Sequence, residues 1–101
     1  MKTGFAKDAL AKWFDFNYPL LYTYVNKTDL DAPAGRAASI HLDMPAHAVA
    51  ISAWEHENKL EIIVIDTTTD ESKVEDKAYA SRDKLQARLD ALLKQLLEMC
   101  E

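Results

Sequence analysis

The side chains in this sequence with the chemistry to act are three histidines, one cysteine and a run of carboxylates in the middle of the chain. His41, His47 and His56 are spaced by gaps that match no zinc motif, and the lone thiol, Cys100, cannot build a structural thiolate site. His41 and His47 flank a short turn and would need a third ligand, such as Asp43, to hold a metal; solvated strand histidines are the commoner arrangement. Ser39 and Ser52 have no glycine elbow beside them to expose a nucleophilic hydroxyl. Cys100 falls on an apolar helical stripe, whereas an activated thiol needs an electropositive setting. Glu55, Glu57 and Glu61 would serve as a general acid and base only in an enclosed apolar site, which nothing around them indicates. Gly4 and Gly35 are too few for a phosphate-cradling loop. The segment from Asp66 to Asp70 lacks the ligand pattern and glycine of a calcium-binding loop. The expectation is a chain with no catalytic residue, no cofactor and no metal, which acts by offering a surface.

The charges say what kind of surface. The net charge is −5, and residues 55–76 supply all of it, with eight acids against two bases. Nucleic-acid affinity rests on lysine and arginine neutralising phosphates, so a chain without a basic stripe is a poor nucleic-acid binder. It suits a basic protein surface. Tyr and Trp beside acids have the composition of binding hot spots, and Trp54 adjoins the acidic segment. Trp54 is equally suited to anchor a core beneath a helix. The opening residues hold no apolar stretch of signal-peptide length, and no apolar run approaches the roughly 20 residues that span a membrane. With one cysteine there is no intramolecular disulfide. Together these features point to the cytoplasm and to no membrane partner.

The elements that must position these residues follow from periodicity. Ala6, Ala9, Leu10, Trp13 and Phe14 recur at helical spacing, giving a helix over about 4–16, with Thr3 as N-cap and Pro19 ending it by Asn17. Trp13, Phe14 and Phe16 are expected mainly in the core. Strands are expected at about 20–25, 37–44, 47–55, 59–67 and 73–80, separated by turn residues. The fourth, Leu60-Glu-Ile-Ile-Val-Ile, is apolar on both sides except at Glu61, as in a central strand. The fifth is short and charged, as edge strands are. Ser81 is a good N-cap for a final helix over 82–99, whose stripe runs Leu85, Leu89, Leu92, Leu93, Leu96, Leu97 and Cys100. Alanine-rich strand three leaves room for a helix to approach. At 101 residues this is one α+β domain, a two-layer fold in which an antiparallel five-stranded meander is flanked by an N-terminal and a C-terminal helix. The uncovered face would carry His41, Asp43, Trp54 or Glu55, and part of the fourth strand.

Ala38-Ser-Ile-His-Leu-Asp43, Ala50-Ile-Ser-Ala-Trp-Glu55 and Leu60-Glu-Ile-Ile-Val-Ile-Asp66, followed by a polar loop and a leucine-rich final helix, carry a family resemblance. Over roughly residues 5–97 the chain resembles the TriTu family, small bacterial immunity proteins of polymorphic toxin systems. The similar features are the Trp-Glu pair closing one strand, the Leu-Glu-x-x-Val-Ile-Asp strand and the helix-first, helix-last order. The resemblance implies a non-enzymatic inhibitor that binds a cognate toxin domain and blocks its active site or its access to substrate. The acidic segment fits a basic toxin cleft. The residues expected to meet the partner are Trp54, Glu55, Glu57, Glu61, Asp66, Asp70 and Glu71, with His41 and Asp43 outside them; the chain acts as monomer or homodimer. The alternative is an acidic secretion chaperone or adaptor that holds an effector segment along an apolar groove.

Overall fold

The computed structural model describes residues 4–33 and 35–100. Helix α1 (Ala6–Leu21) and a short 3-10 turn (Tyr22–Tyr24) lead into strand β1 (Val25–Asp29). Strands β2 (Ala38–Met44), β3 (His47–Trp54), β4 (Lys59–Asp66) and β5 (Ser72–Ala78) follow, and helix α2 (Arg82–Met99) closes the chain. The five strands form one antiparallel meander in sequence order, with β3 in the middle. Both helices lie on one face, which gives the expected two-layer α+β architecture.

Pleating decides which residues meet the helices, because successive side chains point to opposite faces. Ala38, Ile40, Leu42 and Met44 of β2, Val49, Ile51 and Ala53 of β3, and Leu60 and Ile62 of β4 are buried beneath the helices. Ala6, Ala9, Leu10, Trp13, Phe14 and Leu21 of α1 close over them, with Leu85, Leu89, Leu92 and Leu96 of α2. The Leu97 end of the α2 stripe lies at the surface. Ser81 caps α2, its hydroxyl accepting from the Lys84 backbone N–H at 3.3 Å.

Five expectations need correction. Helix α1 continues past Pro19 to Leu21. A proline removes one N–H, and its would-be acceptor, the carbonyl of exposed Asp15, can turn to water instead. Continuing the helix consumes residues 20–24, so β1 starts at Val25 rather than Leu20. Phe16 is 84% exposed rather than core. Strand β4 lies next to the edge strand and not at the centre; its second apolar face, Ile63 and Ile65, is turned to solvent. Alanines Ala48 and Ala50 lie on that same uncovered face, and only Ala53 of strand three packs under the helix layer.

The start of α1 is held from a distance. Thr3 lies outside the described residues; Phe5 occupies the cap position and makes no side-chain cap. The Asn58 carboxamide oxygen accepts instead from the backbone N–H groups of Phe5 (2.7 Å) and Ala6 (3.2 Å). These are among the donors a helix start leaves without partners. Gly4 passes so close that a Cβ there would sit 2.9 Å from the Glu55 carbonyl oxygen, a contact only glycine avoids. The Asn58 carbonyl also accepts from the Tyr79 N–H at 3.2 Å, so one turn residue ties α1, the β3–β4 turn and the approach to α2. Asn58 has φ +48, a left-handed conformation that asparagine tolerates well. Asn58→Ala is expected to cost about 2 kcal/mol, from the lost cap and the strained backbone together. Asn58→Gly keeps the backbone free and should recover part of that loss in urea unfolding.

Candidate partner-binding face

The uncovered face of the sheet is built by strand register. Across it run the rows Asp43–Ala48–Ile65–Ser72, Lys27–His41–Ala50–Ile63–Val74 and Asp29–Ser39–Ser52–Glu61–Asp76, with Trp54–Lys59–Ala78 at one end. Along β3 this face reads Ala48, Ala50, Ser52, Trp54: three small side chains, then a large one. The result is a groove over the middle strand. Asp43 and His41 form one wall, Ile65 and Ile63 the other, and Trp54 stands at the end. At about 3.3 Å per residue it runs roughly 20 Å from Ala48 to Trp54. Its deepest part is a trough of about 210 Å³ over Ala48 and Ala50. A bulge in β1 between Val25 and Lys27 turns the Asn26 carboxamide onto Asp43, donating to its carboxylate at 2.9 Å.

Trp54 is 36% exposed and sits away from the helices, so it is not the core anchor that the sequence equally allowed. The Lys59 ammonium lies 6.0 Å from its ring centroid. Lys59 also pairs with Asp76 at 3.5 Å, and Asp29 with Arg36 at 2.6 Å. Among the described residues, Glu61 and Asp43 have no cation within ion-pair distance. They are the open carboxylates of this face, one near each end of the groove.

The structure divides the other expected contact residues. Glu55 and Glu57 lie in the β3–β4 turn, close to Trp54. Glu55 is paired with Lys7 at 3.6 Å, and Glu57 has φ +59, so this turn carries structural work as well as charge. Asp66, Asp70 and Glu71 lie at the opposite end of β4, whose eight residues span roughly 25 Å. The acidic segment therefore splits into two clusters at the ends of β4, with Glu61 and its cross-strand neighbour Asp76 on the open face between them and Glu75 on the other side of β5. Asp66 is chiefly a turn former: its carboxylate accepts from the backbone N–H groups of Thr68 (2.8 Å) and Thr69 (3.2 Å). Those bonds hold its carboxyl below the usual range. His41 and His47 lie on opposite faces of the sheet and cannot share a ligand; His47 Nε2 is 3.9 Å from the Asp66 carboxylate. No group of three or more His, Cys, Asp or Glu is placed to hold a metal among the described residues.

Two other surfaces compete with this face. A cleft of about 400 Å³ lies between α2 and the β4–β5 hairpin. It is larger than the trough, and Asp66, Glu71 and Lys73 line it beside one formed ion pair, in which Arg88 donates to both Glu75 carboxylate oxygens, at 2.8 and 3.0 Å. The Arg88 bond holds the Glu75 carboxyl below its ordinary value. Glu75 thus titrates lower folded than unfolded. Its stabilising contribution is complete above the ordinary glutamate range and is lost as pH falls through the depressed folded value. Glu75→Gln is expected to flatten the acid limb of the urea midpoint plotted against pH. The effect should be modest, because the Glu75 side chain is 40% exposed.

The second surface runs from the end of α1 into the 3-10 turn, where Phe16, Tyr18, Leu20 and Tyr22 are all exposed. Phe14, Tyr18 and Tyr22 form a ladder one turn apart, Phe14 edge-on to Tyr18 at 5.5 Å between centroids and Tyr18 tilted against Tyr22 at 6.0 Å. It offers aromatic area, with the exposed Asp15 carboxylate one turn before Tyr18. Sequence reasoning divided it between a helix and a strand, because Pro19 was expected to end the helix by Asn17.

Compared with known protein families, with curated proteins and with solved structures, the chain finds no match. Its chemistry is read from its own geometry.

Proposed function

We propose that this protein is an immunity protein, which binds a cognate bacterial toxin domain through the open face of its sheet and blocks the toxin's active site or substrate access. One observation carries the reading. The two helices cover only one face of the meander, and the other combines an aromatic end-stop, a small-residue groove and two carboxylates that have no cation within ion-pair distance among the described residues. An aromatic anchor beside polar groups is the composition of binding hot spots. The net charge of −5 favours a basic partner, by steering encounter and by rejecting acidic competitors. The resemblance of the β2–β4 sequence to the TriTu family points the same way.

A second reading draws on the groove itself. Its length and its apolar wall, Ile63 and Ile65, also suit an extended client segment, as in a secretion chaperone. Toxicity separates the two. The partner captured by tagged protein from native cell extract is expressed alone in a bacterial host, then together with this chain. A toxin arrests growth, and the wild-type chain relieves the arrest; Glu61→Lys, which reverses an unpaired carboxylate, should not. A partner that is harmless alone but is kept soluble or exported by this chain would replace the immunity reading with the chaperone.

A further inference from the structure

We infer that the trough over Ala48 and Ala50 seats one basic side chain of the protein partner, an arginine or a lysine. This rests on the proposed use of the open face and names what occupies one end of it.

The register places three chemistries around one depression. The floor is two methyl groups, Ala48 and Ala50, set between longer neighbours on both sides. One wall is the aliphatic pair Ile63 and Ile65, the latter 38% exposed. The other wall is the exposed His41 imidazole and Asp43, whose only side-chain partner among the described residues is the neutral Asn26 carboxamide. An apolar floor and wall leading to a single anion match an aliphatic stem that ends in a cation, since long basic side chains lay their methylenes on apolar surface and keep the charged head at a polar edge. A purely aliphatic side chain would leave Asp43 unanswered. An acidic one would be repelled by it. Arginine suits the site better than lysine. Asn26 donates to one Asp43 oxygen and holds the carboxylate in place, leaving its remaining lone pairs for a forked donor. Asn26 reaches Asp43 because of the β1 bulge, which turns Val25 onto the core side and Lys27 onto the open side and leaves Asn26 to orient this carboxylate.

The test uses the whole chain, labelled with nitrogen-15, and N-acetyl-arginine amide as probe, with N-acetyl-norleucine amide as the uncharged control. Saturable shifts are expected at the backbone amides of Asn26, Ala48, Ala50, Ile63 and Ile65, with the control at least about tenfold weaker, as for loss of one charge-assisted hydrogen bond. Asp43→Asn should cause a similar loss. Ala50→Leu should do so too, by filling the trough with the carboxylate intact, which guards against an indirect effect of the Asp43 change. Shifts that are absent, scattered over the surface, or equal for wild type and Asp43→Asn would overturn the inference. Its failure is distinct from failure of the proposed function. A chain that captures its partner in a Glu61-dependent way yet ignores the probe loses the trough assignment alone.

Discussion

Trp54→Ala is expected to weaken partner binding by about 30-fold or more while leaving the fold intact. The size follows from position. A large aromatic at the end of a groove, beside the Glu61 carboxylate, is the kind of residue whose truncation costs about 2 kcal/mol or more at an interface. The sparing of stability follows from exposure. Trp54 packs outside the helix–sheet core, and the contacts it loses within the chain are with neighbours on the sheet surface, among them the Lys59 ammonium over its ring, worth about 0.5 kcal/mol at an exposed site. Calorimetric titration of the captured partner, alongside urea unfolding of the free chain, separates the two effects. Loss of binding with a matching loss of stability would return Trp54 to a structural role.

Leu89→Ala is expected to have the opposite profile, a loss of about 2–5 kcal/mol in unfolding free energy. Leu89 is wholly buried at the middle of the α2 stripe, with Leu85, Leu92 and Leu96 on either side. The shortened side chain leaves a cavity that the helix cannot close without moving its neighbours. Against a total of about 5–15 kcal/mol for a domain of this size, that is a large share. Leu97→Ala lies on the same stripe but is 37% exposed, and should cost about 1 kcal/mol or less. Urea midpoints of the two variants compare them directly. Equal losses would contradict the placement of α2.

The contrast between these variants shows what the sequence disclosed. The α2 stripe, its Ser81 cap and the β2–β3–β4 hairpins were legible because each is a local pattern: leucines at helical spacing, alternating strands, short turns. The start of β1 was not legible, because Pro19 disfavours helix locally while the packing of Leu21 rewards it. The cap of α1 was hidden for a different reason. Asn58 is more than fifty residues from the N–H groups it receives, and no window of sequence joins them. The open face was half legible. Trp54, Glu61, His41 and Asp43 could be named, but strand parity decides which neighbours share their face, and that needed the helices in place. The apolar run of β4 was the available signal. It implied burial on both sides, and one of those sides is the groove wall. The acidic segment misled in the other direction, since residues close in sequence along a strand lie far apart in space.

The claim that the open sheet face is the binding surface is tested most directly by mapping the captured partner onto the nitrogen-15-labelled chain. The expected result is perturbation of the Trp54 indole N–H and of the amides of Ala48, Ala50, Ser52, Glu61 and Ile63, with Leu93 and the Phe16–Tyr22 segment unchanged. Perturbation centred on the α1 aromatic ladder, or on the Glu75–Arg88 cleft, with Trp54 silent, would contradict it.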